Sequence, residues 1–300
     1  MYKYRAFGVN ILSDILLPEL IGTFGGEDVR VISGKVPERL DNPKTEGVCY
    51  QASPGIFLLN IKDVARYMVR NGSEIIVEAY PRAAAEDIRL FLLGSSFGAL
   101  LHQRGYLPFH GSVINIKGKA IIFSGVSGSG KSTLAGALQK RGYQVLSDDV
   151  ANISLDSNQR PLVHPSYPQI KLWKDSLLKL GEEPTLHKKL RKKLDKYGMQ
   201  IQSGYFNESL ILAAIYILIP MNSGNNEIEP ITGIEKFNAL RKNTYRYTYL
   251  AGLDLSEQHF ISCTKIAPSI RVKKITRGNS TFLLEDLADA VEKDILSWLE

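Results

Sequence analysis

Eight residues, Gly125-Val126-Ser127-Gly128-Ser129-Gly130-Lys131-Ser132, carry the clearest chemistry in the chain. They fit G-x-x-x-x-G-K-[ST], in which glycines let successive backbone N–H groups turn toward phosphate oxygens, the lysine reaches the outer phosphates and the hydroxyl holds magnesium. A glycine-rich turn that binds nothing has no use for Lys131. The expected nucleotide-binding set is Gly125, Ser127, Gly128, Ser129, Gly130, Lys131, Ser132 and Thr133, with Ser132 on the metal. Asp148 and Asp149 close the apolar run 144–147. An apolar strand ending in acid is where a phosphate-binding α/β sheet places the carboxylate that meets magnesium or its water shell. A plain turn is the alternative. His110 stands just ahead of the segment that leads into the octapeptide, and a lone histidine near a strand start is more often a surface or capped residue.

Such a loop needs a strand before it and a helix after it. Residues 120–123 are a short apolar run of buried-strand type, and 133–140, TLAGALQK, have helical spacing with Leu134 and Leu138 on one face. Lys117-Gly118 separates strands 112–116 and 119–124, so a hairpin delivers the chain into the loop. Upstream, 82–103 predicts a helix, with Glu86 and Asp87 near its start, an apolar stripe of Ile88, Phe91 and Leu92, and Gly105 just past its end. The first eighty residues are mostly short β-like runs (2–7, 29–32, 56–61, 65–69 and 74–80), with Asn71-Gly72 as a hairpin turn. Downstream, strands are expected at 170–173, 210–220, 227–230 and 270–275. Helices are expected at 233–243, 256–267 and 284–299, and 161–168 reads as a Pro-rich turn. A further helical region, 175–194, is interrupted near 181–184. The expected organisation is a mainly β N-terminal module (1–81), a connecting helix (82–105) and a P-loop domain (106–300).

The 300 residues, 44% hydrophobic and 23% charged, have ordinary globular composition. The net charge of +6 concentrates at 188–196, KKLRKKLDK. With Leu190 and Leu194 at i and i+4, this run predicts the solvated face of a helix. The alternative is a patch for ATP phosphates or an acidic partner segment. The run has no interleaved aromatics and the chain no nucleic-acid motif, so no nucleic-acid partner is expected. Cys49 and Cys263 lie far apart without a C-x-x-C or a histidine cluster, which predicts buried, reduced thiols. The N-terminus lacks a basic region followed by an unbroken apolar one, so no secretory signal is read. The apolar runs 90–101 and 210–221 fall short of the roughly 20 residues that cross a bilayer. A cytoplasmic protein without a membrane partner is expected.

His110-Gly111-Ser112, the octapeptide and Ser147-Asp148-Asp149 together resemble the catalytic domain of the HPr kinase/phosphorylase family. That family has a His-Gly or His-x-Ser element before its P-loop hairpin, then G-x-S-G-x-G-K-S, then a small residue and two aspartates. FGVNILSDILLPEL, HPSYPQIKLW and SCTKIAPSIRVKKI look like HPr-kinase-like proteins found beside peptide-modification genes, some of which phosphorylate a serine on a lasso-peptide precursor. The resemblance implies an α/β fold, a P-loop kinase domain of the HPr kinase/carboxykinase type with a mainly β N-terminal module, using ATP and Mg2+. By the same resemblance Lys131 clamps the β- and γ-phosphates and Ser132 ligates magnesium. Asp148 accepts the proton of the attacking serine, His110 orients Asp148, and Asp149 helps to hold the metal. The implied partner is a peptide or small protein carrying a serine, and a homo-oligomer is compatible with it. Two departures stand out. The family's Glu-x-Arg-Gly has as its nearest counterpart Gln169-Ile170-Lys171-Leu172, without a carboxylate, and the family's C-terminal elements for docking HPr are not recognisable, so HPr is not the expected acceptor. A kinase of a small alcohol such as free serine, and a non-catalytic ATP-binding switch, are the alternatives.

Overall fold

The computed structural model describes residues 1–191, 194–220, 227–277 and 284–299. Lys192 and Lys193 of the basic run, and Met221 at the end of the second apolar run, lie outside the described residues. The chain is a mixed α/β structure built on two large sheets. Among the described residues no helix is long and apolar enough to cross a membrane.

The first nine strands, between Tyr2 and Ala79, form one sheet. Asn71 and Gly72, both at positive φ, make the expected hairpin between Ala65–Arg70 and Glu74–Ala79. The connecting segment covers this sheet as Ala85–Phe91 and Phe97–Gln103, joined by a π-turn at Leu92–Ser96 instead of one continuous α-helix. Leu92, Phe97, Leu100 and Leu101 pack against Phe57, Tyr67 and Ile75, each fully buried.

The core under that sheet does not stop at the connecting helix. Val150, Tyr167, Tyr249 and Leu253 belong to it. Phe7 packs on Phe97 and edge-on against Tyr167, and Tyr249 sits 4.4 Å from the Phe57 ring centroid. Each such fully buried side chain contributes roughly 1.5–3 kcal/mol, so the N-terminal sheet and the second half stabilise one another.

The second sheet has helices on both faces. Alternation along its strands explains this: Ile121, Phe123 and Tyr216 face Leu134, Leu138 and Val291, while Ile122, Ile215 and Ile217 face Leu240, Cys263 and Ile266. Lys119–Gly125 pairs in parallel with Leu210–Pro220, which pairs in parallel with Arg271–Arg277. The strand read as starting at 112 starts at Leu107. Its first half pairs with Val150–Leu155, a strand not anticipated after the two aspartates, and its second half with Lys119–Gly125. The Pro-rich stretch contains a strand, Pro161–His164. Of the two cysteines expected to be buried, Cys263 is, in the core beneath the second sheet, and Cys49, just ahead of the strand Tyr50–Ser53 of the first sheet, is exposed.

The basic run is not a helix. Lys188–Arg191 and Leu194–Gln200 are antiparallel strands that join Gln169–Trp173 in a three-stranded sheet. Tyr197, Met199 and Ile201 recur at period two and enter the core beside Leu177 and Leu180. That β-pattern outweighs the i, i+4 spacing of the two leucines.

Candidate active site

Gly125–Ser132 form a loop between the strand Lys119–Gly125 and the helix Lys131–Lys140. Gly125, Gly128 and Gly130 have φ of 140°, 81° and 97°. A Cβ on Gly125 would stand 2.4 Å from the Leu218 carbonyl oxygen. The loop therefore needs glycine both for its turn and for its approach to the neighbouring strand. The helix start adds partial positive charge and free N–H groups where an anion would sit.

The Lys131 side chain is buried at 6% exposure, and its ammonium donates to the carbonyls of Gly125 (3.0 Å) and Val126 (2.9 Å). Burial pulls its pKa below the ordinary lysine value, and the charges of Asp148 and Asp149 oppose that only in part. Thr133 turns away from the loop: its hydroxyl donates to Ser176 at 2.9 Å. Ser127 is exposed, Ser129 buried and Ser132 half-buried at the head of the helix.

The two aspartates have different surroundings. Asp148, 2% exposed, accepts the Ser112 hydroxyl at 2.5 Å on one oxygen and the Lys171 backbone N–H at 2.7 Å on the other. Asp149 sits at φ 73°, a left-handed conformation rare outside glycine, and its Oδ2 accepts from the Lys171 ammonium at 2.9 Å. Burial pushes the Asp149 pKa up, but Lys171, then Lys196 and His110, outweigh it and hold the carboxyl well below its usual range. Lys171, 5% exposed, is pushed down by burial and carried well above the lysine value by Asp149.

His110 does not pair with Asp148 as the family resemblance implies. Because it lies inside the strand that pairs with Val150–Leu155, its Nδ1 meets the Asp149 carbonyl oxygen at 3.0 Å and the Asp149 carboxylate at 3.8 Å. Burial, followed by the Lys131 charge, lowers its pKa, so the ring is neutral at pH 7. A neutral ring that donates through Nδ1 leaves Nε2 as a proton acceptor.

Several site residues had no role read from the sequence. Ser112, the last residue of the His110-Gly111-Ser112 element, is the Asp148 partner. Lys171 stands where Glu-x-Arg-Gly has its arginine, with Gln169 at the glutamate position, and a lysine inside an apolar strand is itself a sign of a paired buried charge. The Tyr245 ring lies 6.0 Å from that of His110, and Arg246, also left-handed at φ 54°, donates to Ser95 in the π-turn at 2.8 Å.

A magnesium nucleotide fits these residues in one form. Among the described residues no group of three His, Cys, Asp or Glu side chains could hold a metal. Magnesium keeps few protein ligands and takes the rest from phosphates and water, so Ser132 with one carboxylate suffices. Asp149, half-buried at 21%, is the more accessible of the pair.

No protein-family model matches the chain, and no curated protein matches it. Among solved structures it is similar to the Hpr(Ser) kinase/phosphatase from Coxiella burnetii, with a TM-score of 0.33 and 14% identity over 63% of this chain and 91% of that one.

Proposed function

We propose that the chain transfers the γ-phosphoryl group of ATP to a serine hydroxyl of a peptide or small protein, in line with the resemblance to HPr-kinase-like proteins beside peptide-modification genes; a lasso-peptide precursor is such an acceptor. The observation that carries it is one cluster. Lys131, His110, Asp148 and Asp149 lie close enough at one end of the second sheet for the charges of Lys131 and both aspartates to act on His110.

The loop N–H groups, the helix start and Lys131 neutralise phosphate charge and hold the phosphoryl group in line. Magnesium, held by Ser132 and Asp149, supplies further neutralisation of the β- and γ-oxygens when bound. The serine oxygen bonds to the γ-phosphorus as the bond to the β-bridging oxygen breaks, and ADP leaves with that electron pair. The serine proton needs an acceptor. Both Asp148 oxygens are engaged and Asp149 is ion-paired, whereas His110 Nε2 has no hydrogen-bond partner among the described residues, so the geometry supports His110 as the base with Asp149 stabilising the imidazolium.

The test is transfer of labelled γ-phosphate to serine peptides, free serine and water. Wild type should prefer peptide. Lys131→Ala should lower transfer by about 10²-fold or more and weaken Mg-ATP by the ~1.5–3 kcal/mol of charged hydrogen bonds, compared well below its melting transition because the buried ammonium also bonds two loop carbonyls. Wild-type turnover in that variant overturns the nucleotide assignment, and preference for free serine points to a small-alcohol kinase.

A further inference from the structure

A cleft of about 510 Å³ opens beside the glycine-rich loop, at the carboxyl ends of the parallel strands of the second sheet. That volume lies in the range of small-ligand sites, and the carboxyl edge of such strands is where open α/β sheets hold their ligands. The floor comes from Leu210–Pro220 and the edge strand Glu227–Pro230, and the wall is the helix Gly233–Asn243. Two contacts join the cleft to the loop. Ile217 and Leu218 lie opposite Ser124 and Gly125 in the strand pairing. The Ser124 hydroxyl is shared between the His110 carbonyl oxygen (2.6 Å) and Asn243 Oδ1 on the cleft wall (3.1 Å). The strand that enters the loop has Leu107–Ile116, with His110, on one flank and Leu210–Pro220 on the other. Gln144–Ser147, which ends at the two aspartates, pairs with the far side of Leu107–Ile116. His110 and the aspartates therefore stand on one side of the loop and the cleft on the other.

The charges that line the cleft cancel. Glu229 pairs with Lys274 at 2.6 Å, and the helix contributes one charge of each sign, Glu235 and Lys242. Between them the lining is apolar: Ile219 is 38% exposed, and Ile231 and Ala239 are half-buried. Asn238 adds an amide that both donates and accepts, and its one bond, from Nδ2 to Glu235 at 3.3 Å, is long enough to be exchanged. Such a site suits a neutral, flat group with hydrogen-bonding edges, and it has no surplus cation for phosphate or for an acidic segment. The glycine loop supplies the direction. A triphosphate whose γ end faces His110 and Asp149 carries its other end to the opposite side of the loop, over Leu218. We infer that this cleft holds the nucleoside of the phosphoryl donor, with the base against Ile219 and Ala239 and its edge on Asn238. This rests on the assignment of the loop to a nucleoside triphosphate, and it adds the residues that tell ATP from a bare polyphosphate.

Binding is read by titration calorimetry, which needs no transfer. The probes are Mg-ATP and Mg-tripolyphosphate, a phosphate chain of the same length without the nucleoside. Wild type should bind Mg-ATP at least about tenfold more tightly than Mg-tripolyphosphate. Asn238→Trp, which fills the cleft from its wall, should remove most of that difference by weakening Mg-ATP about tenfold while leaving Mg-tripolyphosphate as in wild type. Ile219→Ala, at a partly exposed strand end where truncation costs the fold little, should weaken Mg-ATP alone by about fivefold. Lys131→Ala should weaken both ligands. Equal wild-type affinity for the two ligands overturns the proposal. So does an Asn238→Trp or Ile219→Ala variant that binds Mg-ATP like wild type, or that loses both ligands to the same degree with an unchanged melting transition. If both ligands bind wild type and only Lys131→Ala weakens them, the nucleotide loop stands and the nucleoside cleft falls; if neither binds wild type, the loop assignment falls and takes the cleft with it.

Discussion

A hydrogen bond from His110 Nδ1 to a backbone carbonyl fixes which nitrogen is free, and this gives the proposed base a pH signature. Burial and Lys131 keep the His110 pKa below 6.5. Protonation removes the acceptor lone pair, so transfer should be on a plateau at neutral pH and fall as pH drops through that lowered value. His110→Gln should cost about 10²–10⁴-fold in kcat and flatten the acid limb. Asp148→Asn should act differently. Its two oxygens take a Ser112 O–H and a Lys171 N–H, and an amide can accept only one of these while turning its own N–H₂ toward the other. That mismatch costs about 1–3 kcal/mol of stability, so melting should suffer while the acid limb persists. If Asp148→Asn instead loses kcat with an unchanged melting transition, and His110→Gln keeps the acid limb, the base is Asp148, as the family resemblance implies.

Strand pairing brings His110 to the glycine-rich loop. Gly111 lies opposite Ser124, and a Cβ there would stand 2.7 Å from the Phe123 carbonyl oxygen and 2.8 Å from Ile122 Cγ2. Gly111→Ala should therefore push the two strands apart, costing about 1–3 kcal/mol by urea denaturation and lowering transfer more than Mg-ATP affinity, because the loop helix is untouched. Wild-type stability and transfer would mean that the pairing tolerates the methyl group. The same contrast explains what the sequence made legible. The octapeptide, its flanking strand and helix and the 117–118 hairpin are local, set by residues a few positions apart. The partners of His110 and Asp148 depend on registers between strands far apart in the chain, which no spacing encodes. The Lys188–Arg191 strand was hidden for a related reason: Leu190 and Leu194 belong to two different strands that pair with each other, where an i, i+4 coincidence means nothing. The π-turn at Leu92–Ser96 depends on a tertiary contact, Ser95 with Arg246, that the helical stripe cannot announce.

The whole molecule is tied around the segment between Thr244 and Tyr249, which touches His110, the connecting helix and the first sheet. Two buried histidines clamp it. His102 Nε2 lies 2.8 Å from the Tyr245 carbonyl oxygen, and His259 Nε2 2.8 Å from the Thr244 hydroxyl. Burial lowers both to about 4 from an ordinary 6.5, and it does the same to His164, which bonds Ser154 and Ser209 near the N-terminal module. Between about pH 6.5 and 4 the unfolded chain binds protons at these positions that the folded chain refuses, so stability rises with pH across that window and falls on acidification. Each of the two histidines that are less than a tenth exposed contributes about 3 kcal/mol across the window, before ordinary carboxylates begin to add to the loss. Urea denaturation at stepped pH should therefore show a steep decline in unfolding free energy just below neutrality, with the transfer activity lost along with the clamp. Replacing His102 by Gln and His259 by Asn keeps a hydrogen-bonding group that does not titrate, and the double variant should have a visibly shallower slope in the same window. A wild-type unfolding free energy that stays flat from neutral pH to about pH 4 would show that these rings are already protonated in the fold, and that the segment is not held by neutral histidines.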